Sequence, residues 1–352
     1  MRDYIIVGLG LAGISFCEVL ENNNKSFVVF DDASQQSSTV AGGLYNPVIL
    51  KRFTEVWKAK EQLNLAIPFY NKIENKLSVS LDHKVPVYRR FASVEEQNMW
   101  FEAADKPSLQ EFLFTKLIKN TNQYIDAEFS YGKVLQTGRI DTSKLQLEYK
   151  KYLIDTDRFI TDRFQYNAIQ FEKEHIIYKG VKAINLIFAE GFGVKSNPFF
   201  DYLPLNGTKG ELLTIKAPKL KIDFVLKSSV FIIPLGNDFY RVGATYKWKD
   251  KTNMPTHEAK QELLSKLNTF LKCDYEVINH VAGIRPTVVD RRPLIGRHPL
   301  HDNIYVLNGF GSRGVMIAPY VSNQLFNFVE NNIPIEKQID IKRFEKHFNT
   351  VI

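Results

Sequence analysis

Three glycines near the start of the chain, Gly8, Gly10 and Gly13, narrow its folding options more than any other feature. They stand in the run YIIVGLGLAGISFCEVL, residues 4–20, with the spacing G-x-G-x-x-G. An apolar run of this kind can be the core of a signal peptide, one end of a membrane span, or a strand–turn–helix cradle for a dinucleotide. Arg2 and the apolar residues 5–17 imitate a signal peptide, but Glu18 and ENNNK follow at once without a cleavage-like segment. No apolar run reaches the roughly 20 residues that cross a bilayer.

The cradle explains the glycines individually. Residues 4–7 (YIIV) suit a buried parallel strand. Gly8 permits the tight turn, Gly10 lets the backbone approach a pyrophosphate, and Gly13 lets a helix pack on the strand. That helix begins next, with Ile14, Cys17 and Leu20 on one face, and its N-terminal N–H groups receive phosphate; Leu11 and Ala12, between the glycines, are expected to border the cofactor. A second buried strand is expected at SFVVF (26–30), followed by Asp31 and Asp32. Asp31 lies 18 residues beyond Gly13, close to the roughly 20 expected of an acid that binds ribose hydroxyls. It sits directly at the strand end and is preferred over Asp32.

A second glycine turn lies far along the chain. NIYVLNGFGSRGVMIAPYVSNQLFNFV (303–329) predicts a strand at 304–308, a turn over Gly309, Gly311, Ser312, Arg313 and Gly314, and an amphipathic helix beginning near Val315. Ala318, Val321, Leu325 and Phe328 share the inner face of that helix. A second positive helix end has a use beside a flavin, where it stabilises negative charge on the reduced ring by about 0.3–2 kcal/mol.

These blocks resemble the FAD-dependent amine oxidoreductases of the D-amino-acid oxidase class, and glycine oxidase in particular. The resemblance rests on the glycines and Asp31, AGGLYNP (41–47, with Gly42 and Gly43), TGRIDTSKL (137–145), INLIFAEGFG (184–193, with Gly191), KGELLTI (209–215), IIPLGNDFYRVGAT (232–245), and AGIRPTVVDRRPLIG (282–296, with Gly283 and Arg285). GFGSRGVMIAP and AGGLYNPV are also similar to the oxidoreductase part of a bifunctional enzyme acting on wobble uridine in tRNA.

The resemblance implies an α/β fold, α+β overall: a Rossmann-like FAD-binding domain and a second, mainly antiparallel substrate domain. The first is expected at 1–80, 138–202 and 283–352, the second at 81–137 and 203–282, where strand-like runs such as VPVYRRFA, ELLTI and VFIIPL alternate with Gly, Pro and Asn. It further implies oxidation of an amine or amino acid by hydride transfer to FAD, followed by imine hydrolysis. Neither Cys17 nor Cys273 stands where a flavin-linking thiol is expected, which implies non-covalent FAD. Arg285 matches the family's carboxylate-binding arginine, whose planar fork suits a carboxylate. Tyr45 and Arg52, beside the AGG loop, are expected to face flavin or substrate. Ser312 stands where glycine oxidase has a second substrate arginine, with Arg313 one position on; this departure disfavours free glycine and agrees with the tRNA-type turn. Tyr240 and Tyr246 are read as sheet packing.

Other signals set limits. Two cysteines suit a reducing, cytoplasmic setting. The charge of +7 is scattered as KRF, YRR, EYKKYL and DRRP, a solvated basic surface rather than a nucleic-acid stripe. The seven histidines form no metal-ligand pattern, and His298 and His301 are expected in solvent. Two further readings stay open: demodification of a carboxymethylaminomethyl uridine in tRNA, and a flavin-binding module without turnover.

Overall fold

The computed structural model describes residues 1–348. Its first sheet has eight strands. Five run parallel, in spatial order Phe159–Thr161, Phe27–Asp31, Arg2–Val7, Val181–Phe188, Ile304–Asn308. The antiparallel strands Ile176–Tyr178, Ile169–Phe171 and Leu294–Arg297 extend it. The parallel strands are covered on both faces, so Tyr4, Ile5, Ile6, Val28 and Val29 are all buried. Helices Leu11–Asn22, Ala59–Leu77 and Gly314–Asn331 pack together, and the first and last take their buried faces onto this sheet.

The second sheet has seven strands, with Glu276–Arg285, Thr208–Lys216, Phe239–Gly243, Phe231–Gly236, Val225–Lys227, Val87–Arg90 and Tyr131–Val134 side by side. All neighbours are antiparallel except Val225–Lys227 against Val87–Arg90. The architecture is α+β, a Rossmann-like region beside a mostly antiparallel sheet. The strand Glu276–Arg285 carries this second sheet past residue 282 as far as Arg285.

The second sheet has two different faces because side chains alternate along a strand. Leu213, Ile215, Leu226, Ile232 and Val242 pack with Leu263 and Leu267 of helix His257–Asn268. The opposite residues, Gly210, Leu212, Val225, Lys227, Phe231, Gly283 and Arg285, line a cavity between the sheets.

The expected strands at 26–30 and 304–308 form as Phe27–Asp31 and Ile304–Asn308. The first helix starts earlier than expected, at Leu11, so that Gly13 lies inside it. Helices Val94–Ala104 and His257–Asn268 interrupt segments read only as strands and turns. His298 is not in solvent. It is 5% exposed, its ring meets Phe199, Phe200 and Phe348 edge-on, and its Nδ1 accepts the Leu300 N–H at 3.1 Å. Burial, aided by the neighbouring His301, pulls its pKa down to about 4. His301, itself partly buried, stacks on Phe171. Among the described residues no helix is long and apolar enough to cross a membrane, and no group of three or more His, Cys, Asp and Glu could hold a metal.

Candidate functional site

The cavity between the sheets measures about 340 Å³ and is lined by segments from across the chain. Gly8, Gly10, Leu11, Ala12 and Asp31 contribute one wall, Gly42, Gly43 and Gly191 the next, and Gly311, Ser312, Arg313, Gly314 and Val315 another. Gly283 and Arg285 complete it from the second sheet. The two glycine turns, more than 290 residues apart in sequence, therefore border one space. They also touch: a Cβ at Gly314 would stand 2.9 Å from Leu11 Cδ1.

Backbone proximity explains the first turn. A Cβ on Gly13 would lie 2.0 Å from the Gly8 carbonyl oxygen, and one on Gly8, at φ +99°, 2.6 Å from that of Ala189. Neither position admits a side chain, so the helix start is drawn tight against the strand ends. Leu11 N–H donates to Ser38 Oγ at 3.0 Å. The next N–H groups of a helix start lack intrahelical acceptors.

The two helices pointed at the cavity differ from three others in the chain. Val94–Ala104, Thr142–Asp155 and His257–Asn268 are capped by the side chains of Ser93, Asp141 and Thr256. Leu11–Asn22 starts at Gly10 and Gly314–Asn331 at Arg313; neither capping residue makes a side-chain cap, and neither first turn carries an acid. Apart from the Leu11 N–H that Ser38 accepts, both positive ends are left for an anion.

Two acids line the cavity. Asp31 accepts Leu9 N–H and Ala33 N–H, one on each carboxylate oxygen, both at 3.0 Å. Burial raises its pKa and these hydrogen bonds oppose the rise. Each oxygen keeps a lone pair for a ribose hydroxyl. Glu190 accepts from Tyr166 Oη at 2.6 Å and Asn197 Nδ2 at 2.7 Å. Burial nevertheless pushes its pKa up to about 7. Asp32 lines a smaller neighbouring cavity, shared with Asp31 and Glu190, instead of the main one.

At the second sheet the lining turns cationic. The Arg285 guanidinium lies so close over Gly210 that a Cβ there would meet its nitrogens at 2.0 and 2.3 Å. It donates to the Thr245 carbonyl at 3.2 Å and stacks on the Tyr246 ring at 4.3 Å. Burial draws the pKa of both Arg285 and Arg313 downward, yet a guanidinium stays charged.

Gly13 and Gly309 stand behind the lining, with Gly309 at φ +81°. The expectation for Tyr45 and Arg52 is corrected. Leu44 faces the cavity, so Tyr45, next on the strand, points away from it. Its hydroxyl donates to Asp82 Oδ1 at 2.8 Å, and burial raises its pKa. Arg52 is exposed in the turn between Val48–Ile49 and Thr54–Glu55. Tyr240 is buried in the sheet as expected, whereas Tyr246, 57% exposed, lines the cavity. The sequence reading missed Ser38, Lys227 and Asn308, which also line it. Asn308 joins two turns: its Nδ2 donates to the Gly191 carbonyl at 2.8 Å, and its Oδ1 accepts Gly309 N–H at 2.7 Å.

Two uncapped helix ends, a glycine seat that admits no Cβ, and an acid at the second strand end fit a dinucleotide such as FAD. Comparisons with known proteins agree. The chain is 24% identical over 198 residues to the tRNA 5-methylaminomethyl-2-thiouridine biosynthesis bifunctional protein MnmC of Legionella pneumophila (strain Philadelphia 1), a match covering 48% of this chain and 30% of that protein. It is 30% identical over 146 residues to glycine oxidase of Bacillus subtilis, covering 40% of each. The chain thus matches less than half the length of either relative. Its fold superposes on the crystal structure of glycine oxidase from Bacillus cereus with a TM-score of 0.78 at 17% identity, over 95% of this chain and 96% of that one. Residues 3–325 match the family described as DAO, FAD dependent oxidoreductase, and with nearly the whole fold inside that match the chain belongs to this family.

Proposed function

We propose that this protein oxidises the C–N bond of a small amine that bears a carboxylate, using non-covalently held FAD. One observation carries the reading: the Arg285 fork, without a carboxylate partner among the described residues, opens into the cavity that both glycine turns border. A planar fork held against Tyr246 and over Gly210 suits a carboxylate, which it binds through two parallel hydrogen bonds. When bound, FAD supplies the hydride acceptor; the imine left behind is hydrolysed by water. The chain's own part is to hold and orient. Ala12 and the Gly314 turn present N–H groups to anionic portions of the cofactor, Asp31 offers acceptors to a ribose, and Arg285 fixes the substrate end.

Anaerobic mixing of the yellow protein with a panel of N-methyl and N-carboxymethyl amino acids tests this. Bleaching of the flavin is expected, with Arg285→Lys raising KM about tenfold or more. A flavin that stays oxidised across the panel overturns the proposal and leaves a binding module without turnover. Acid precipitation is expected to release all the flavin into the supernatant.

A second reading takes tRNA as the substrate carrier. It is favoured by the tRNA-modifying relative and by the exposed Tyr246 and Trp248, interleaved with Lys247 and Lys249 beside the cavity. Deletion of the gene should then leave carboxymethylaminomethyl uridine in tRNA; an unchanged nucleoside profile removes this reading.

A further inference from the structure

The cationic wall of the cavity holds more positive charge than one carboxylate can use. Lys227 closes the short strand Val225–Lys227 and, like Val225 two residues before it, lines the cavity. Its ammonium lies over the Phe231 ring at 5.4 Å. Among the described residues it has no carboxylate within ion-pair distance, and the same holds for Arg285 and Arg313. Nearby cations are served differently. Arg89 donates to Glu96 at 2.8 Å and Lys266 to Glu262 at 2.7 Å. The two acids that do line the cavity are engaged elsewhere, Asp31 with the first turn and Glu190 with Tyr166 and Asn197.

A half-buried ammonium without a counterion is costly and calls for one. Burial, with repulsion from Arg89, Arg285 and Lys266, lowers the Lys227 pKa to about 8, the response expected of a cation that lacks its partner. Its strand and cross-strand neighbours in the lining, Val87, Val225 and Phe231, are apolar.

We propose that Lys227 is a specificity-determining residue that binds a second carboxylate of the substrate, so that the preferred amine is a small dicarboxylate held at one end by Arg285 and at the other by Lys227. This rests on the amine-oxidising reading of the same site, and the test separates the two. Iminodiacetate and sarcosine share the secondary amine and one carboxylate and differ in the second carboxylate. The wild-type holoenzyme should show a kcat/KM for iminodiacetate about tenfold or more above that for sarcosine. Lys227→Met, which keeps the apolar stem, should abolish that ratio, and Lys227→Arg should restore most of it. A ratio near one in the wild type, or a ratio unmoved by Lys227→Met, overturns the proposal.

Binding of non-oxidisable acids is read independently through the visible spectrum of the bound flavin. Succinate should bind about tenfold or more tighter than butyrate, and only where residue 227 is cationic. If no amine reduces the flavin but this difference holds, the oxidase reading falls while the subsite stands. If succinate and butyrate bind alike to the wild type, the subsite falls whatever the variants do.

Discussion

In the first glycine turn, a Cβ on Gly13 would stand 2.0 Å from the carbonyl oxygen of Gly8; in the second, a Cβ on Gly311 would meet nothing within 4 Å. The first turn needs glycine because two backbones press together. At Gly311 glycine is needed because φ is +57°, a left-handed conformation that an L side chain rarely adopts. Their electrostatics differ as well. The first helix begins at Gly10 with no charged side chain at its cap, while the second begins at Arg313, a guanidinium within the lining. The first is a rigid seat that offers only N–H groups. The second is a shaped loop with a positive charge added. The same residue type thus serves two purposes, and substitutions should distinguish them.

Gly13→Val should have the largest effect. Its side chain has no space, so urea denaturation should show a loss of about 3 kcal/mol or more, and the protein should purify without flavin. A loss under about 1 kcal/mol would show that the first turn is as yielding as the second.

Glu190 follows Ala189, whose carbonyl bounds the first turn, and gives that turn a pH dependence. Its folded pKa of about 7 lies above the ordinary 4.5. Its contribution to stability is therefore fully present below pH 4.5 and is lost as pH rises through about 7, by an amount of order 3 kcal/mol. Glu190→Gln can accept from Asn197 and donate to Tyr166, and should flatten this part of the stability profile. Chemical denaturation at pH 5 and pH 8 reads the difference; equal slopes for wild type and variant would exclude a buried, protonated Glu190.

Gly210→Ala probes the cationic wall. The new methyl occupies the place of the Arg285 guanidinium, a flexible side-chain end, so stability should change little while KM for a carboxylate-bearing amine rises about tenfold, or ~1.4 kcal/mol. An unchanged KM would remove Arg285 from substrate binding. Gly311→Ala should have the smallest effect, a destabilisation of about 1 kcal/mol from backbone strain with flavin retained. A collapse comparable with Gly13→Val would erase the distinction between the turns.

Much of this site could be read before its shape was known. Spacing alone located the first turn, because each glycine there answers to a fixed step of a strand–turn–helix. The strand and helix around the second turn were legible from their apolar periodicity. Tyr45 was misassigned because nearness in sequence to the AGG loop does not say which way a strand residue points; Leu44 faces inward, so Tyr45 cannot. Lys227 left little signal, since a lysine at a strand end ordinarily reaches solvent. The helix Val94–Ala104 did leave one, in the Ser93–Glu96 capping pair, where Ser93 Oγ accepts Glu96 N–H. Helix His257–Asn268 left another in Ala259, Leu263 and Leu267, all buried at four-residue spacing. Both were masked by the strand-like segments around them.

The interleaving of the two sheets has a consequence for biosynthesis. The polypeptide passes from one sheet to the other and back twice, and Gly8 and Met316 line one cavity. As the ribosome delivers these residues in order, the first glycine turn emerges some three hundred residues before the wall that faces it. A ligand can therefore be enclosed only once the second turn has emerged and folded, and a shortage of FAD should leave behind a chain with an open cleft, the form most exposed to proteases.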